Sequence, residues 1–329
     1  MPDQSERALR LDSESDAAFQ SMLADVRHGL SLEQKELDPK YFYDERGSEL
    51  FEEITRLPEY YPTRAERALL VSVMPGLIDE IRPASLVELG AGSSSKTRVI
   101  LDAMSVTKEA RQYVPVDVSS DFLRESGSKL RREYPDMSID PAVGDFSIEL
   151  DLPPLQHPAL FAFLGSTIGN FREAAAIEIL ERVTRRMRGA DAFILGVDLR
   201  KDPDIIESAY NDSAGVTADF NLNVLRVLNR ELLSDFDLSA FSHRAFYDRE
   251  RHRIEMHLDS SLEQTVNIPG IGDVRLREGE SIRTELSYKY DRETVASLFE
   301  KAGLCLERWL IGDDGAFGLA VGSRRWGPR

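Results

Sequence analysis

Residues 86–95 have the sequence Leu-Val-Glu-Leu-Gly-Ala-Gly-Ser-Ser-Ser, a short apolar run followed by a Gly-x-Gly turn. The run predicts a buried strand, and the turn predicts the connection to a following helix. Gly90 and Gly92 permit a tight turn and close approach to a ligand, because neither has a Cβ. The pattern is typical of nucleotide-binding α/β proteins, although any tight connection in a parallel sheet can contain two glycines.

The glycine pattern of dinucleotide-binding proteins is incomplete in this turn. Ser95 stands where Gly-x-Gly-x-x-Gly would have its third glycine, so close approach of a pyrophosphate is not expected. A ligand with an adenosine but no diphosphate fits the turn better, and S-adenosylmethionine (SAM) is such a ligand. We expect Glu88 to face the cationic amino-acid end of SAM.

Two further strand ends contain residues suited to an adenosine. Asp117 ends a second predicted strand, 27 residues after Gly90, near the spacing at which a carboxylate accepts both ribose hydroxyls. Asp145 and Phe146 follow a third predicted strand, where an acid can accept a hydrogen bond from the adenine amino group and a ring can stack on adenine. The alternative for Asp117 is a local role beside a helix N-cap.

The order of predicted elements indicates the fold. Helices and strands alternate from residue 65 to residue 198, which predicts a parallel sheet with helices on both faces. A strand, a helix capped by Asp291 and a hairpin around residues 312–315 are predicted at the end of the chain. A parallel sheet that ends in an antiparallel hairpin is typical of class I SAM-dependent methyltransferases. We therefore predict a Rossmann-like α/β fold with a mostly parallel seven-stranded sheet, plus an inserted α+β substrate-binding domain.

The alternation is interrupted for about 85 residues after Asp198. We expect a SAM-binding domain over residues 62–199 and 286–329, and a substrate-binding domain over residues 16–61 and 200–285. The ligand cleft should lie between the inserted domain and the carboxyl ends of the parallel strands. A helix is expected over residues 17–29, followed by a loop-rich aromatic stretch, whereas residues 1–15 are expected to be disordered.

Composition excludes several classes of protein. The chain has 329 residues, 42% of them hydrophobic, and a net charge of −17 that argues against nucleic-acid binding. No apolar run approaches the roughly 18 to 20 residues of a membrane span, and the acidic N-terminal residues do not resemble a signal peptide. The single cysteine, Cys305, and the spacing of the five histidines indicate neither a disulfide framework nor a metal site. We expect a cytoplasmic monomer with no metal and no nucleic-acid or membrane partner.

Longer motifs identify a family. In chain order they are YFYDERGSELFEEITRLPEYYPTRAE (41–66), LVELGAGSSSKTRVILDAM (86–104), PVDV (115–118), GDF (144–146), FLGSTIGNF (163–171), AYNDSAGVTADFNLNVLRVLNREL (209–232), RIEMHL (253–258) and TELS (284–287). They closely resemble the histidine-specific, SAM-dependent Nα-methyltransferases of ergothioneine biosynthesis. LPEYYPTR and FLGSTIGN are the most distinctive, and the resemblance spans almost the whole chain. It implies stepwise trimethylation of the α-amine of histidine to hercynine, with three SAM consumed.

The resemblance also implies binding residues. Five positions would bind SAM: Gly90, Lys96, Asp117, Asp145 and Phe146. Six would contact histidine: Tyr60, Asn170, Tyr210, Met256, Glu285 and Ser287. Tyr43 would line the same pocket close to the amine, and Asn170 and Tyr43 would be the catalytic residues. Met256 and Glu285 occupy the two positions that the family associates with histidine, which favours histidine over tryptophan or tyrosine as substrate.

Side-chain chemistry supports several of these roles. The amide oxygen of Asn170 can accept a hydrogen bond from the substrate amine, and Glu285 can accept the imidazole N–H. Ser287 lies two residues further on, on the same strand face, and can serve the other nitrogen. Each residue type also has a structural alternative. Lys96 could be a solvated helix residue, the tyrosines could be core, Asn170 could be a turn or cap residue, and Glu285 could face solvent. Competing functions are methylation of another aromatic amino acid and a non-catalytic SAM-binding role.

Overall fold

The structure is a computed structural model that describes residues 19–92, 96–107 and 111–325. Its contacts divide the chain into two compact units. Of the described residues, the insert unit contains those up to Tyr60 together with Asp202–Leu286, and the sheet unit contains those within Tyr61–Lys201 together with those from Ser287 onward. The functions that we assign to the two units stay predictions, and the disorder expected of residues 1–15 falls outside the described residues.

The insert unit begins with the expected helix and with a second helix that the sequence pattern did not predict. The elements are helix α1 (residues 19–31), strand β1 (Lys35–Glu36), a 3-10 helix (Pro39–Phe42) and helix α2 (Glu45–Ile54). The prediction of a loop-rich stretch after residue 29 is therefore wrong over Glu45–Ile54, where α2 forms. Asp44 begins α2, since its carboxylate accepts a hydrogen bond from the Gly47 amide at 2.7 Å. A Cβ on Gly47 would lie 1.7 Å from the Phe42 carbonyl oxygen, so this turn of the helix requires glycine.

The first part of the sheet unit alternates between helices and strands, as predicted. The elements are α3 (Pro62–Ile81), β2 (Ser85–Leu89), α4 (Thr97–Thr107), β3 (Gln112–Asp117), α5 (Ser120–Glu133), β4 (Ser138–Ile139), β5 (Ala142–Val143), β6 (Ala159–Phe163), α6 (Glu173–Arg186) and β7 (Ala192–Asp198). Every residue of β2, β6 and β7 is buried, as central strands of a covered parallel sheet require. The single strand expected over residues 139–143 is instead β4 and β5, because Pro141 lacks the N–H that a continuous ladder needs.

The rest of the insert unit has the expected helical half followed by antiparallel strands. The elements are α7 (Pro203–Ser208), α8 (Val216–Glu231), β8 (Phe241–Asp248), β9 (Arg253–Ser260), β10 (Gln264–Ile268), β11 (Gly272–Leu276) and β12 (Ser281–Tyr288), whose last two residues belong to the sheet unit. Asp212 separates the two helices, because its carboxylate accepts hydrogen bonds from the first amides of α8, Val216 at 2.9 Å and Thr217 at 2.7 Å. Strands β1, β12, β9 and β8 form one sheet in that order, and β10 and β11 form a hairpin.

The chain ends with α9 (Arg292–Lys301), β13 (Leu304–Ile311) and β14 (Phe317–Arg324). Asp291 caps α9 as predicted, since its carboxylate accepts a hydrogen bond from the Thr294 amide at 2.8 Å. The large sheet has the order β13-β14-β7-β6-β2-β3-β4, with β5 also paired to β3. Strands β7, β6, β2 and β3 are parallel, whereas β14 runs antiparallel to β7 and to β13. This arrangement confirms the predicted fold, with the seventh position of the sheet shared by β4 and β5.

Apolar side chains cover both faces of the large sheet. Val87 and Phe161 belong to the cluster that includes residues of α6 and α9, whereas Leu86 and Leu160 belong to the cluster that includes residues of α3 and α4. Neighbours along a strand enter opposite clusters because successive side chains of a strand point to opposite faces. Within the described part of the chain, no helix is long and apolar enough to cross a membrane.

Candidate functional site

The Gly-x-Gly turn lies at the carboxyl edge of the large sheet, directly after β2. Gly90 has φ of 66° and Gly92 has φ of 44°, a left-handed conformation that favours glycine. The Gly90 amide donates a hydrogen bond to the Val116 carbonyl at 2.8 Å, which holds the turn beside β3. A Cβ on Gly90 would lie 3.8 Å from Cε1 of Phe146. The structure thus places two of the residues expected to bind SAM next to each other.

Asp117 ends β3 and faces the same turn. Its carboxylate accepts hydrogen bonds from the amides of Gly92 at 3.4 Å and Ser119 at 3.1 Å. Burial raises the pKa of Asp117, while these backbone bonds oppose the rise. A partly buried carboxylate beside the glycine turn suits the two hydroxyl donors of a ribose. The bond from Ser119, just before α5, also fits the local capping role that we considered as the alternative.

Asp145 and Phe146 follow β5, which pairs with β3 so that Val143 lies opposite Asp117. Oδ1 of Asp145 accepts hydrogen bonds from the amide and the hydroxyl of Ser147, at 2.8 and 2.5 Å. The Phe146 ring packs edge-to-face against Phe163, with 5.2 Å between the ring centroids. Both expected adenine contacts therefore lie at the sheet edge that contains the glycine turn.

Lys96 is held in an ion pair rather than solvated. Its Nζ lies 2.7 Å from Oε2 of Glu66, whose side chain is 1% exposed. An ammonium group suits the carboxylate of a bound amino acid, and SAM has such a carboxylate. The residues at this edge therefore fit SAM: a lysine for its carboxylate, an acid for its ribose, and an acid with an aromatic ring for its adenine.

Glu88 does not have the surroundings that the sequence suggested. The residue is 2% exposed, and its Oε2 accepts hydrogen bonds from the hydroxyls of Thr97 at 2.6 Å and Tyr113 at 2.7 Å. It links β2 to β3 and α4 inside the unit. The expected contact with the cationic end of SAM has no support from this geometry, because the carboxylate is buried and bonded to two hydroxyls of the protein.

The buried Glu88 predicts a pH-dependent stability. Burial raises its pKa from 4.5 to about 7, although the bonds from Thr97 and Tyr113 oppose this rise. Since the folded protein holds this proton more tightly than the unfolded chain, the stabilising contribution is complete below pH 4.5 and is lost as the pH rises through about 7. At about 1.4 kcal/mol per pKa unit, the loss is at most about 3.5 kcal/mol.

We expect Glu88→Gln to reduce the fall in unfolding free energy between about pH 5 and pH 8, as measured by urea denaturation. The amide oxygen of glutamine can still accept the bonds from Thr97 and Tyr113, but it does not titrate. A fall equal to that of the unsubstituted protein would contradict this role of Glu88.

Asn170 ends a 3-10 helix (Thr167–Asn170) that follows β6. Helix α6 begins later, with Arg172 as its N-cap, so Asn170 is not the cap of that helix. A Cβ on Gly169 would lie 2.8 Å from the Tyr288 carbonyl oxygen, so only glycine lets this segment lie against the end of β12. Asn170 and Ser287 are the chain neighbours of these two residues. The structure therefore brings together two segments that contain expected substrate contacts.

Ser287 adjoins a buried charged cluster that the sequence pattern did not predict. Lys289 donates a hydrogen bond to the Ser287 hydroxyl at 2.9 Å and lies 2.9 Å from the carboxylate of Asp198. Lys201 and the Tyr61 hydroxyl also contact that carboxylate. Burial opposes ionisation of Asp198, but the two lysines outweigh it and lower its pKa. Two sequence signals point to this cluster: Asp198 ends the apolar strand β7, and Lys289 directly follows β12.

The insert unit joins the three predicted tyrosines through aromatic contacts. Tyr43 is 43% exposed and packs edge-on against Phe51 and Phe220, at centroid distances of 5.7 and 5.6 Å. Tyr60 lies 6.2 Å from Phe51 and 6.5 Å from Tyr210. The aromatic residues of the two motifs therefore form one cluster, and the exposure of Tyr43 separates it from ordinary core.

Met256 and Glu285 lie on strands of the insert unit. Met256 is 1% exposed, and its carbonyl accepts a hydrogen bond from the Thr284 hydroxyl at 3.2 Å. Glu285, the next residue, is partly buried and not a solvent-exposed strand residue. Strands β9 and β12 are neighbours in one sheet. They therefore place Met256 and Glu285, the two positions that the resemblance associates with a histidine substrate, on adjacent chain segments.

The two units divide the predicted site residues. The insert unit contains Tyr43, Tyr60, Tyr210, Met256 and Glu285, and the sheet unit contains Gly90, Lys96, Asp117, Asp145, Phe146, Asn170 and Ser287. Among the residues that the structure describes, no group of three or more His, Cys, Asp or Glu side chains could hold a metal ion.

The sheet order, the antiparallel hairpin and the residues at the carboxyl edge define a class I SAM-dependent methyltransferase. Comparison with known families specifies the class further. The model of the histidine-specific, SAM-dependent methyltransferases matches residues 22–324. The chain belongs to this family, as the motifs predicted.

Curated relatives agree with this assignment. The chain is 43% identical over 311 residues to a histidine N-alpha-methyltransferase of Mycolicibacterium smegmatis, covering 94% of this chain and 97% of the relative. It is 42% identical over 310 residues to a histidine N-alpha-methyltransferase of Mycobacterium tuberculosis, with the same coverage. Ergothioneine biosynthesis protein 1 of Neurospora crassa is 29% identical over 300 residues, which cover 88% of this chain and 33% of that protein. The predicted enzyme class is confirmed.

Proposed function

We propose that this enzyme trimethylates the α-amine of L-histidine to hercynine, the first step of ergothioneine biosynthesis. The family match over residues 22–324 is the observation that supports it most strongly. The geometry agrees, since the segment that contains Asn170 lies against the end of β12 at the edge that fits SAM. In each cycle a C–N bond forms as the S–CH₃ bond of the sulfonium breaks and S-adenosylhomocysteine leaves. The amine must lose a proton to water before each attack.

Residues of the sheet unit supply binding and orientation in this proposal. Asp117 accepts the ribose hydroxyls, Asp145 and Phe146 hold adenine, and Lys96 pairs with the carboxylate of SAM. The amide oxygen of Asn170 accepts a hydrogen bond from the substrate amine and so directs the nitrogen lone pair. Orientation of this kind can lower a barrier by up to roughly 7 to 11 kcal/mol, and little other acid-base help is required.

Residues of the insert unit supply recognition of histidine. Tyr60 and Tyr210 hold the substrate, and Tyr43 contacts the amine. Glu285 accepts the imidazole N–H, Ser287 of the sheet unit serves the other ring nitrogen, and Met256 packs against the side chain. A site built to hydrogen-bond a ring N–H rejects rings that lack it, because its polar groups would be left unpaired.

Mass spectrometry of a competition reaction tests the proposal. We expect the purified protein, incubated with SAM and the twenty amino acids, to add three methyl groups to histidine and none to the others. Methylation of tryptophan or tyrosine would keep the fold and the cofactor but contradict the histidine pocket. Binding of SAM without any product would favour the non-catalytic alternative. A reaction without SAM controls for methylated contaminants.

We also propose that the enzyme acts in the cytoplasm as a monomer, with histidine as its small-molecule substrate. The strongly negative net charge of −17 supports the absence of a nucleic-acid partner. These statements, together with the expected absence of a metal, stay predictions.

A further inference from the structure

Glu66 connects the loops that follow two adjacent strands of the large sheet. Its Oε2 accepts a hydrogen bond from Lys96 Nζ at 2.7 Å, and its Oε1 accepts one from the Gly165 amide at 2.7 Å. Lys96 follows β2, Gly165 follows β6, and these strands pair with each other. One carboxylate from α3 therefore holds both loops at the edge that fits SAM.

Two glycines make room for this ion pair. A Cβ on Gly196, in the buried strand β7, would lie 2.3 Å from Oε1 of Glu66. A Cβ on Gly165 would lie 2.9 Å from Nζ of Lys96, and Gly165 also has φ of 78°. Larger residues at either position would displace the carboxylate or the ammonium. The backbone of two neighbouring strand segments is thus shaped around Glu66 and Lys96.

Burial of Glu66 constrains the geometry of its ion pair with Lys96. Glu66 is 1% exposed, and an ionised carboxylate at such depth is tolerated only when it is paired and hydrogen-bonded. The ammonium of Lys96 has three donors, and Glu66 engages one of them. The direction of that bond determines where the remaining donors of Lys96 point, and hence where a carboxylate of SAM can bind.

The second arm of Glu66 reaches the segment that leads to Asn170. Gly165 and Ser166 are both left-handed, with φ of 78° and 56°, directly before the 3-10 helix Thr167–Asn170. Glu66 holds the amide of Gly165, and the Ser166 hydroxyl accepts a hydrogen bond from the Asp198 amide at 2.9 Å. These two bonds anchor the turn on both sides, so a displaced Glu66 would release one anchor of the segment that ends in Asn170.

We propose that Glu66 is a positioning residue that sets SAM affinity through Lys96 and turnover through the turn that leads to Asn170. The proposal rests on the proposed function, since it takes Lys96 as a SAM contact and Asn170 as the residue at the amine. Glu66 itself touches neither SAM nor histidine in this scheme.

Glu66→Gln tests the proposal with almost no change of volume. Glutamine has one acceptor oxygen, so its NH₂ group must face either Lys96 Nζ or the Gly165 amide, both of which are donors. We expect the Kd for S-adenosylhomocysteine, measured by calorimetry, to rise about tenfold or more. We also expect kcat to fall about tenfold or more, with the KM for histidine nearly unchanged. When Lys96→Met is already present, adding Glu66→Gln should change the Kd for S-adenosylhomocysteine much less, because Glu66 acts on the ligand through Lys96.

Asp191→Asn is the matched control. Asp191 is 3% exposed and accepts hydrogen bonds from the amides of Ala159 and Arg188, both at 2.7 Å. It precedes β7, at the opposite edge of the sheet from the glycine turn. Asp191→Asn therefore removes a buried carboxylate without touching either loop. We expect its melting temperature to fall while the Kd for S-adenosylhomocysteine stays within about twofold of the unsubstituted value.

The outcomes separate the possibilities. Folded Glu66→Gln with unchanged Kd and kcat would overturn the proposal, as would an equal loss of affinity in Asp191→Asn. If Glu66→Gln does not fold, Gly196→Ala takes its place, since it displaces the Glu66 carboxylate while keeping the residue, and unchanged affinity there would overturn the proposal. Failure of the unsubstituted protein to bind S-adenosylhomocysteine would instead reject the proposed function.

Discussion

Asn170→Ala is expected to lower kcat for histidine methylation about 10²-fold, because a displaced or unoriented reacting group can cost that much in rate. The amide oxygen is the group that we propose to direct the amine toward the methyl group. Its segment is closely constrained, since Gly169 packs against the backbone of Tyr288. Single-turnover kinetics at saturating SAM measure the first methylation directly.

Ser287→Ala is the matched comparison for Asn170→Ala. Ser287 adjoins Tyr288, the residue against which Gly169 packs, and its proposed contact is with the imidazole and not with the amine. We expect a rise of a few fold in KM and little change in kcat, since one neutral hydrogen bond contributes about 0.5 to 1.5 kcal/mol. Comparable losses of kcat in the two variants would contradict the assignment of Asn170. Affinity for S-adenosylhomocysteine should be unchanged in Asn170→Ala.

Glu285→Ala is expected to raise the KM for histidine about 10- to 100-fold. A buried imidazole N–H that loses its acceptor costs about 1 to 3 kcal/mol, and each 1.4 kcal/mol corresponds to a factor of ten. The partly buried position of Glu285 on β12 suits such a contact. Steady-state kinetics with varied histidine at saturating SAM measure the effect, which should fall mainly on KM.

Glu285→Gln separates loss of charge from loss of the acceptor. Glutamine keeps a carbonyl oxygen that can accept the imidazole N–H, so its KM should rise less than that of Glu285→Ala. The preference for histidine over tryptophan should narrow in the alanine variant, because the shorter side chain no longer pairs with imidazole and leaves room for the larger indole. A KM for histidine that stays unchanged in Glu285→Ala would place this residue outside the pocket.

Local patterns predicted most elements of the sheet unit. The apolar run before Gly90 and the acids at successive strand ends are readable because buried strands and tight turns have strong residue preferences. Helix α2 was not predicted, because its start depends on contacts as well as on local residue preferences. It begins at Asp44, but its first turn also depends on the close approach of Gly47 to the Phe42 carbonyl, and the side chain of Asn223, far along the chain, bonds both Phe42 and Asp44.

For the buried charged residues as well, the sequence indicates the residue type but not the partners. Glu88, at the end of a strand before a glycine turn, suggested a ligand contact, yet its partners Thr97 and Tyr113 make it a buried link. Glu66 lies within the motif LPEYYPTRAE, but the motif does not indicate its role, because its partner Gly165 is 99 residues away. Neither strand periodicity nor residue type indicates which groups a buried acid will have as hydrogen-bond partners.

The sequence by itself determined the fold class, the order of most elements and the family, because strand periodicity, glycine turns and long motifs are properties of short segments. Only the tertiary structure decided which charges meet. Lys289 reaches Asp198, and Glu66 reaches both Lys96 and Gly165. Such pairs form where packing excludes water and brings distant segments within hydrogen-bond distance, and burial then requires each charge to have a partner.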